Sequence, residues 1–107
     1  MTQTSKTRRV MLEEFVAANP GDAFARYGLA MECARTEDYA AASNHFDKLL
    51  ELHPDYVPGY FQYGQMLAST ADSARAKEIL GKGIQAAQRK GDAHASEEMQ
   101  AVIDSLS

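Results

Sequence analysis

The chain has 107 residues, of which 45% are hydrophobic and 24% are charged, and its formal net charge is −4. This is the size and composition of a single globular domain. The longest apolar runs are far shorter than the about 20 residues that a membrane-spanning helix needs, which excludes an integral membrane protein built on such helices. Because no apolar signal core follows the basic residues near the start, we expect a cytoplasmic protein.

Apolar residues recur at spacings of three and four in every segment between turn signals, which is the helical period. We therefore predict an all-α fold of about six helices, and no strand pattern competes with it. The predicted helices cover approximately residues 5–18, 22–35, 38–52, 56–70, 72–89 and 92–106.

The residues at the ends of these helices are typical of helix termini. Asn19-Pro20-Gly21 ends the first helix, and His53-Pro54 ends the third because proline cannot continue the hydrogen bonding of a helix interior. Asp22 is placed to cap the second helix. Pro58 is compatible with the fourth helix because it falls in the first turn.

Charge is unevenly distributed over the last two predicted helices. Residues 75–90 carry five basic residues and one acid, whereas residues 92–107 carry four acids and no lysine or arginine. We expect these helices to lie side by side, with fields that largely cancel within a Debye length of about 8 Å at physiological salt. The basic stretch is therefore not expected to bind nucleic acid.

The sequence repeats with a period of 34 residues. Asn19-Pro20 returns as His53-Pro54, and Thr36-Glu37-Asp38 returns as Thr70-Ala71-Asp72. A period of this length is typical of helical units that cannot bury their apolar face alone and must stack on their neighbours. The repeat therefore predicts a stacked array of antiparallel helix-turn-helix units.

These repeating residues resemble the tetratricopeptide repeat (TPR) family, whose 34-residue unit is a helix-turn-helix with small and large residues at fixed positions. The resemblance implies that small residues stand where paired helices cross and that large residues fill the space between them. The residues expected to form this packing are Leu29, Ala30, Ala42, Phe46 and Pro54 in the first unit and Tyr63, Gly64, Ala76 and Leu80 in the second. Gly83 falls where the family keeps a small residue, so we interpret it as a packing contact.

The same resemblance implies a single domain over residues 1–107. We expect a half-repeat helix at 5–20, a first repeat at 21–54, a second at 55–90 and a capping helix at 91–107. Two full units are fewer than the three usually needed. The concave surface should therefore be small, with micromolar affinity for a linear peptide, about −8 kcal/mol.

In an array of this family the first helix of each unit lines the concave side, where a protein or peptide partner is expected to bind. The candidate partner-binding residues are Phe24, Tyr27, Met31 and Arg35, then Phe61, Gln62 and Gln65, with Gly28 and Ser69 beside them. Aromatic and methionine side chains offer an adaptable apolar surface, while arginine and glutamine can hydrogen-bond a backbone or an acidic side chain. An alternative is that Phe24 and Tyr27 pack against the first helix as core.

Some family members hold the C-terminal carboxylate of heat-shock chaperones with lysine, asparagine and arginine side chains. The matching positions here are Tyr27, Met31 and Gln62. We therefore do not expect a carboxylate clamp of that kind.

No residue pattern indicates catalysis or a metal site. His45 and His53 have no acid or cysteine around them at ligand spacing, so we interpret both as surface residues. The single cysteine, Cys33, lies in no motif with a histidine and is interpreted as a small buried hydrophobic residue. We therefore expect no enzyme activity and no cofactor.

A structural role is the alternative function. The first predicted helix lacks a partner helix of its own, which leaves an apolar flank near Val10, Met11 and Phe15. This flank could drive weak homo-oligomerisation, in place of or beside the binding of another protein.

Overall fold

The computed structural model describes residues 6–106, which contain six helices and no strand. The helices are α1 (Arg8–Ala18), α2 (Ala23–Arg35), α3 (Tyr39–Leu52), α4 (Val57–Ser69), α5 (Ser73–Arg89) and α6 (Ala93–Asp104). The predicted all-α class and the six helices are confirmed. Residues 1–5 and 107 of the predicted domain lie outside the described residues. None of the described helices is long and apolar enough to cross a bilayer.

Aspartate side chains fix the starts of four helices. The capping residues are Asp22, Asp38, Asp72 and Asp92, each of which accepts a hydrogen bond from the backbone N–H three residues later. Such a bond satisfies a donor that the first helical turn leaves unpaired. The fourth helix begins differently: Tyr56 makes no side-chain cap, and Pro58 occupies the first turn, where its missing N–H removes no helical bond.

Three turns contain a residue with left-handed backbone geometry: Glu37 (φ 65°), Ala71 (φ 68°) and Gly91 (φ 69°). In each turn, the aspartate that follows donates its N–H to the carbonyl five residues earlier, at 2.8–3.0 Å. This arrangement ends one helix and lets the next begin at once. In two of the three turns the left-handed residue is not glycine, and its backbone conformation costs about 1–2 kcal/mol of folding free energy.

The helices form two layers. The helix α2 packs on α3, α4 packs on α5, α1 packs on α2, and α6 packs on α5. The inner layer consists of α2, α4 and α6, and the outer layer consists of α1, α3 and α5. Within the inner layer, α2 contacts α4 and α4 contacts α6, whereas within residues 6–106 no Cα atom of α3 lies within 8 Å of α1 or α5. The helices of the inner layer are therefore closer together, and this layer forms the concave side of an elongated array that measures 54 × 28 × 19 Å.

The core lies between the two layers. The rings of Phe46 and Tyr63 are stacked, with centroids 5.0 Å apart, and the Tyr63 hydroxyl donates a 2.9 Å hydrogen bond to Asp47. Of the residues expected to pack, Leu29, Ala30, Ala42, Phe46, Tyr63, Gly64, Ala76 and Leu80 are buried, while Pro54 is exposed at the end of α3. Their burial joins the two repeats into one continuous core.

Two glycines allow neighbouring helices to approach closely. A Cβ atom added to Gly64 would lie 2.4 Å from the Leu80 side chain, so α4 and α5 could not keep their separation. A Cβ atom added to Gly83 would lie 2.5 Å from the Met99 sulfur and 2.5 Å from Tyr60 Cβ. Glycine at both positions is therefore required by packing, and Gly83 joins α5 to the inner layer.

The predicted side-by-side packing of the basic α5 and the acidic α6 is confirmed. The ion pairs of α5 are formed elsewhere: Arg75 pairs with Asp47 of α3 and with Glu78 of its own helix, and Arg89 lies 2.7 Å from Asp55 in the turn before α4. Within the described part of the chain, no ion pair joins α5 to α6.

We predict that Gly64→Ala lowers the free energy of unfolding by about 1–3 kcal/mol because the added methyl group overpacks the contact with Leu80. Gly81 is the matched control, because it lies in the middle of α5 and a Cβ atom added there would meet nothing within 4 Å. Gly81→Ala should be neutral or stabilising by up to about 1 kcal/mol, from helix propensity alone. Urea unfolding followed by circular dichroism checks both, and equal stability of the two variants would contradict the close contact.

Candidate partner-binding groove

Two adjoining hollows on the concave side form a continuous groove. The hollow between α2 and α4 has a volume of about 410 Å³ and is lined by Met31, Ala34, Arg35, Tyr39, Phe46, Gln62, Gln65, Met66 and Ser69. The hollow between α1 and α2 has a volume of about 400 Å³ and is lined by Arg8, Phe24, Tyr27, Gly28, Met31, Glu32 and Arg35. Both hollows share Met31 and Arg35, which form the ridge between them.

The helical period explains this arrangement. Phe24, Tyr27, Met31 and Arg35 recur at spacings of three and four along α2, which places them on one face of the helix. Gln62, Gln65 and Ser69 recur in the same way along α4. The structure brings six of the seven candidate residues into the two hollows. Phe61 is the exception, since it is half-buried against the core and lines neither hollow.

Phe24 and Tyr27 differ in how far they are exposed. The Phe24 side chain is 77% exposed and does not form part of the core. Tyr27 is half-buried, with its ring centroid 5.4 Å from that of Tyr56, and burial raises the pKa of its hydroxyl. Phe24 therefore presents a free aromatic face at the end of the groove, while Tyr27 forms part of the wall.

A buried carboxylate organises the charges of the groove. Glu32 is only 6% exposed, and Arg35 donates two hydrogen bonds to its two oxygens, at 3.0 and 2.6 Å. Arg8 of α1 approaches the same carboxylate at 3.6 Å. These guanidinium groups, led by the hydrogen bond from Arg35, hold the pKa of Glu32 below its ordinary value. The Arg35 side chain remains 69% exposed, so it is oriented by Glu32 and still open to solvent.

Sequence reasoning missed several residues of the groove. Glu32 stands three residues before Arg35, and opposite charges at this spacing on one helix form ion pairs. This contact could therefore have been predicted from the sequence. Arg8 left no such signal, because its place beside Glu32 depends on how α1 lies across α2. Met66 and Tyr39 also line the groove, and neither was among the candidate residues.

Comparisons with known proteins agree with this architecture. The chain is 27% identical over 95 residues to a TPR repeat-containing protein of Pseudomonas aeruginosa, an alignment that covers 89% of this chain and 90% of that protein. The solution structure of a tetratricopeptide repeat domain protein from Salinibacter ruber superposes with a TM-score of 0.76 at 29% identity, over 81% of this chain and 88% of that one. The chain is similar in sequence and in fold to tetratricopeptide repeat proteins.

A second solved structure has a similar fold. The solution structure of a Bordetella parapertussis protein superposes with a TM-score of 0.80 at 26% identity, over 95% of this chain and 89% of that one. No family model matches the sequence. Proteins of the tetratricopeptide type typically mediate interactions between proteins.

The two histidines expected at the surface, His45 and His53, are both partly buried, and a ring nitrogen of His53 lies 2.9 Å from the carbonyl oxygen of Gly21. His45 of α3 is half-buried, which corrects the expectation from sequence, and burial lowers the pKa of its imidazole. The nearby guanidinium groups of Arg26 and Arg9 lower that pKa further, against the weaker opposing effect of Glu13 and Asp38. Cys33 is buried, as expected, and burial raises the pKa of its thiol. Among the described residues, no group of three or more potential ligands could hold a metal ion.

We predict that Phe24→Ala changes the free energy of unfolding by less than about 0.5 kcal/mol, because an exposed side chain has little packing to lose. Phe46→Ala, the matched control in the core, should cost about 3–5 kcal/mol. Urea unfolding of both variants checks the difference. A loss at Phe24 comparable to that at Phe46 would assign Phe24 to the core.

We predict that His45 makes the protein less stable in mild acid. The pKa of His45 is lower in the folded state than in the unfolded chain. As the pH falls through about 6.5, the unfolded chain therefore binds a proton before the folded state does. The free energy of unfolding declines from that pH down to the pKa of the folded state. His45→Gln should flatten this decline, because it removes the imidazole whose protonation the folded state disfavours. The check is the free energy of unfolding at about pH 7.5 and about pH 5.5, a window above the titration of the carboxylates. The same slope in wild type and His45→Gln would contradict the assignment.

Proposed function

We propose that the chain is a non-catalytic protein-interaction module that holds a short segment of a partner protein, a peptide or a helix, in its concave groove. The observation that carries the proposal is the continuity of the two hollows across Met31 and Arg35. Together they offer a surface that accommodates side chains on both sides of one ridge.

The lining of the groove favours apolar side chains in the bound segment. Met31 and Met66 stand beside the aromatic rings of Tyr27, Tyr39 and Phe24. Methionine adapts its shape to different partners, and aromatic rings supply a large contact area at a low entropic cost. Burial of apolar side chains on this surface is the expected source of most of the affinity.

The charges of the groove favour an acidic group in the bound segment. The charged residues that line the two hollows are Arg8, Arg35 and Glu32, which sum to +1 in a chain whose net charge is −4. Arg35 is oriented in advance by Glu32, so it loses little conformational freedom when it binds a carboxylate. Gln62 and Gln65, on the opposite wall, carry amide groups that can pair with a peptide backbone.

The experiment is a selection from a displayed library of random peptides, followed by calorimetry with one synthetic peptide from the enriched set. We expect enriched peptides to combine apolar residues with aspartate or glutamate. Arg35→Gln should weaken binding of that peptide about tenfold or more, which corresponds to about 1.4 kcal/mol. Met31→Ala should weaken it as well, since both hollows lose their shared wall.

Phe61→Ala is the matched control, because Phe61 lies on α4 beside Gln62 and lines neither hollow. Thermal melting of each variant separates lost binding from lost folding. Chemical-shift changes caused by the peptide should map to α2 and α4. Shifts confined to the outer faces of α3 and α5, or equal affinity in all variants, would refute the groove as the binding site.

A further inference from the structure

Three charged residues meet in the hollow between α1 and α2. Arg8 begins α1, and Glu32 and Arg35 stand in the last turn of α2. Arg35 donates hydrogen bonds to both oxygens of Glu32, and the Arg8 Nε atom lies 3.6 Å from one of them. Two guanidinium groups therefore share one carboxylate that is itself almost fully buried.

The two arginines are committed to Glu32 to different degrees. Arg35 places its Nε and Nη2 atoms on the carboxylate, at 3.0 and 2.6 Å. The 3.6 Å separation between Arg8 and Glu32 is longer than a hydrogen bond, and the Arg8 side chain donates none within residues 6–106. Both arginine side chains are 69% exposed. Arg8 therefore keeps its N–H donors for a ligand, beside an Arg35 that is already held in place.

The net charge of the three residues decides which class of anion fits. The hydrogen bond from Arg35 holds the pKa of Glu32 below its ordinary value, so the three groups sum to +1 at neutral pH. One carboxylate makes the cluster neutral. A phosphate group carries a charge of about −1.5 to −2 at pH 7, which leaves the cluster negative beside the buried Glu32, where like charges repel strongly.

The shape of the groove distinguishes a carboxylate in a side chain from one at the end of a chain. Arg35 lies on the ridge between the two hollows. The hollow on one side presents Phe24 and Tyr27. The hollow on the other side presents Tyr39 and Met66. A bound chain that ends at Arg35 leaves one of these apolar surfaces empty, whereas a chain that continues past it covers both.

We propose that Arg8, Glu32 and Arg35 form the specificity centre of the groove, which binds the side-chain carboxylate of an aspartate or glutamate within the partner segment. This inference rests on the protein-interaction function proposed above. Arg8 and Arg35 donate hydrogen bonds to the bound carboxylate. Glu32 is the positioning residue, because it orients Arg35 and limits the excess positive charge to one unit. It thereby disfavours a phosphorylated residue at the same place.

The spacing along α2 defines a probe. Met31 stands one turn before Arg35, a rise of about 6 Å along the helix. Residues two apart in an extended peptide lie on the same side, at a distance of about 6.6 Å. An apolar residue two positions from the acid can therefore contact Met31 while the acid reaches Arg35. The probe is the blocked peptide acetyl-Phe-Ala-Asp-Ala-amide, with two counterparts in which asparagine or phosphoserine replaces the aspartate.

Nuclear magnetic resonance titration of the whole chain with each peptide, at about pH 7.5 where the phosphate is a dianion, tests the proposal. We expect the aspartate peptide to bind about tenfold or more tightly than the asparagine peptide, because two charge-assisted hydrogen bonds are lost in the latter. The Nε–H signals of Arg8 and Arg35 should shift with the aspartate peptide. The blocked C-terminus of each probe ensures that only the side chain supplies the carboxylate.

Two variants separate the roles of the charges. Arg8→Gln makes the cluster neutral, so the preference for aspartate over asparagine should fall about tenfold. Glu32→Gln raises the charge of the cluster to +2, so the affinity for the phosphoserine peptide relative to the aspartate peptide should rise about tenfold or more. Arg89→Gln is the matched control, since Arg89 is an exposed arginine that pairs with Asp55 outside the groove, and it should bind as the wild type does.

Circular dichroism and thermal melting confirm that each variant is folded, and Arg8→Gln decides the question alone if Glu32→Gln does not fold. Equal binding of the aspartate and asparagine peptides, with shifts in α2 and α4, would overturn this inference and leave the proposed function standing. An unchanged preference in Arg8→Gln and Glu32→Gln would overturn it as well, and would reduce the cluster to a link between α1 and α2. Failure of all three peptides to bind would also overturn it, while the library selection decides the proposed function independently.

Discussion

Packed helices approach each other only as closely as the side chains at their crossing allow. In this chain that limit is set by Gly64 against Leu80 and by Gly83 against Tyr60 and Met99. These glycines bring α5 close to α4 and to α6, and so hold the two layers of the array together at this end. One wall of the groove depends on this packing, because the residues of α4 that line it stand on the helix that Gly64 seats against Leu80.

The sequence predicted best those features that depend on residues only a few positions apart. Asp22, Asp38, Asp72 and Asp92 cap helices through a bond that spans three residues, and the helical period alone places Tyr27, Met31 and Arg35 on one face. The 34-residue period added the packing positions, because each repeat copies the same crossing. These signals were enough to predict six helices and their order, whereas the residues expected on the concave side came from the resemblance to tetratricopeptide repeats.

Contacts between distant segments could not be read in the same way. Arg75 pairs with Glu78 of its own helix and with Asp47 of α3, and the pair with Asp47 depends on how the helices pack. The position of Arg8 beside Glu32 and the burial of His45 depend on how α1 and its neighbours lie across one another. Phe61 was expected on the concave face with the other candidates of α4, yet it is half-buried against the core and lines neither hollow. How far one side chain turns towards the core depends on how its helix packs, which a pattern of residue types does not give.

The central claim is that glycine-limited contacts set the separation of α5 from α4 and α6, and so position the α4 wall of the groove. Nuclear Overhauser effects in the free protein measure those contacts directly. The account predicts strong effects between the Gly64 α-protons and the Leu80 methyl groups, and between the Gly83 α-protons and the side chains of Tyr60 and Met99. A well-folded helical spectrum in which these effects are absent would contradict the account.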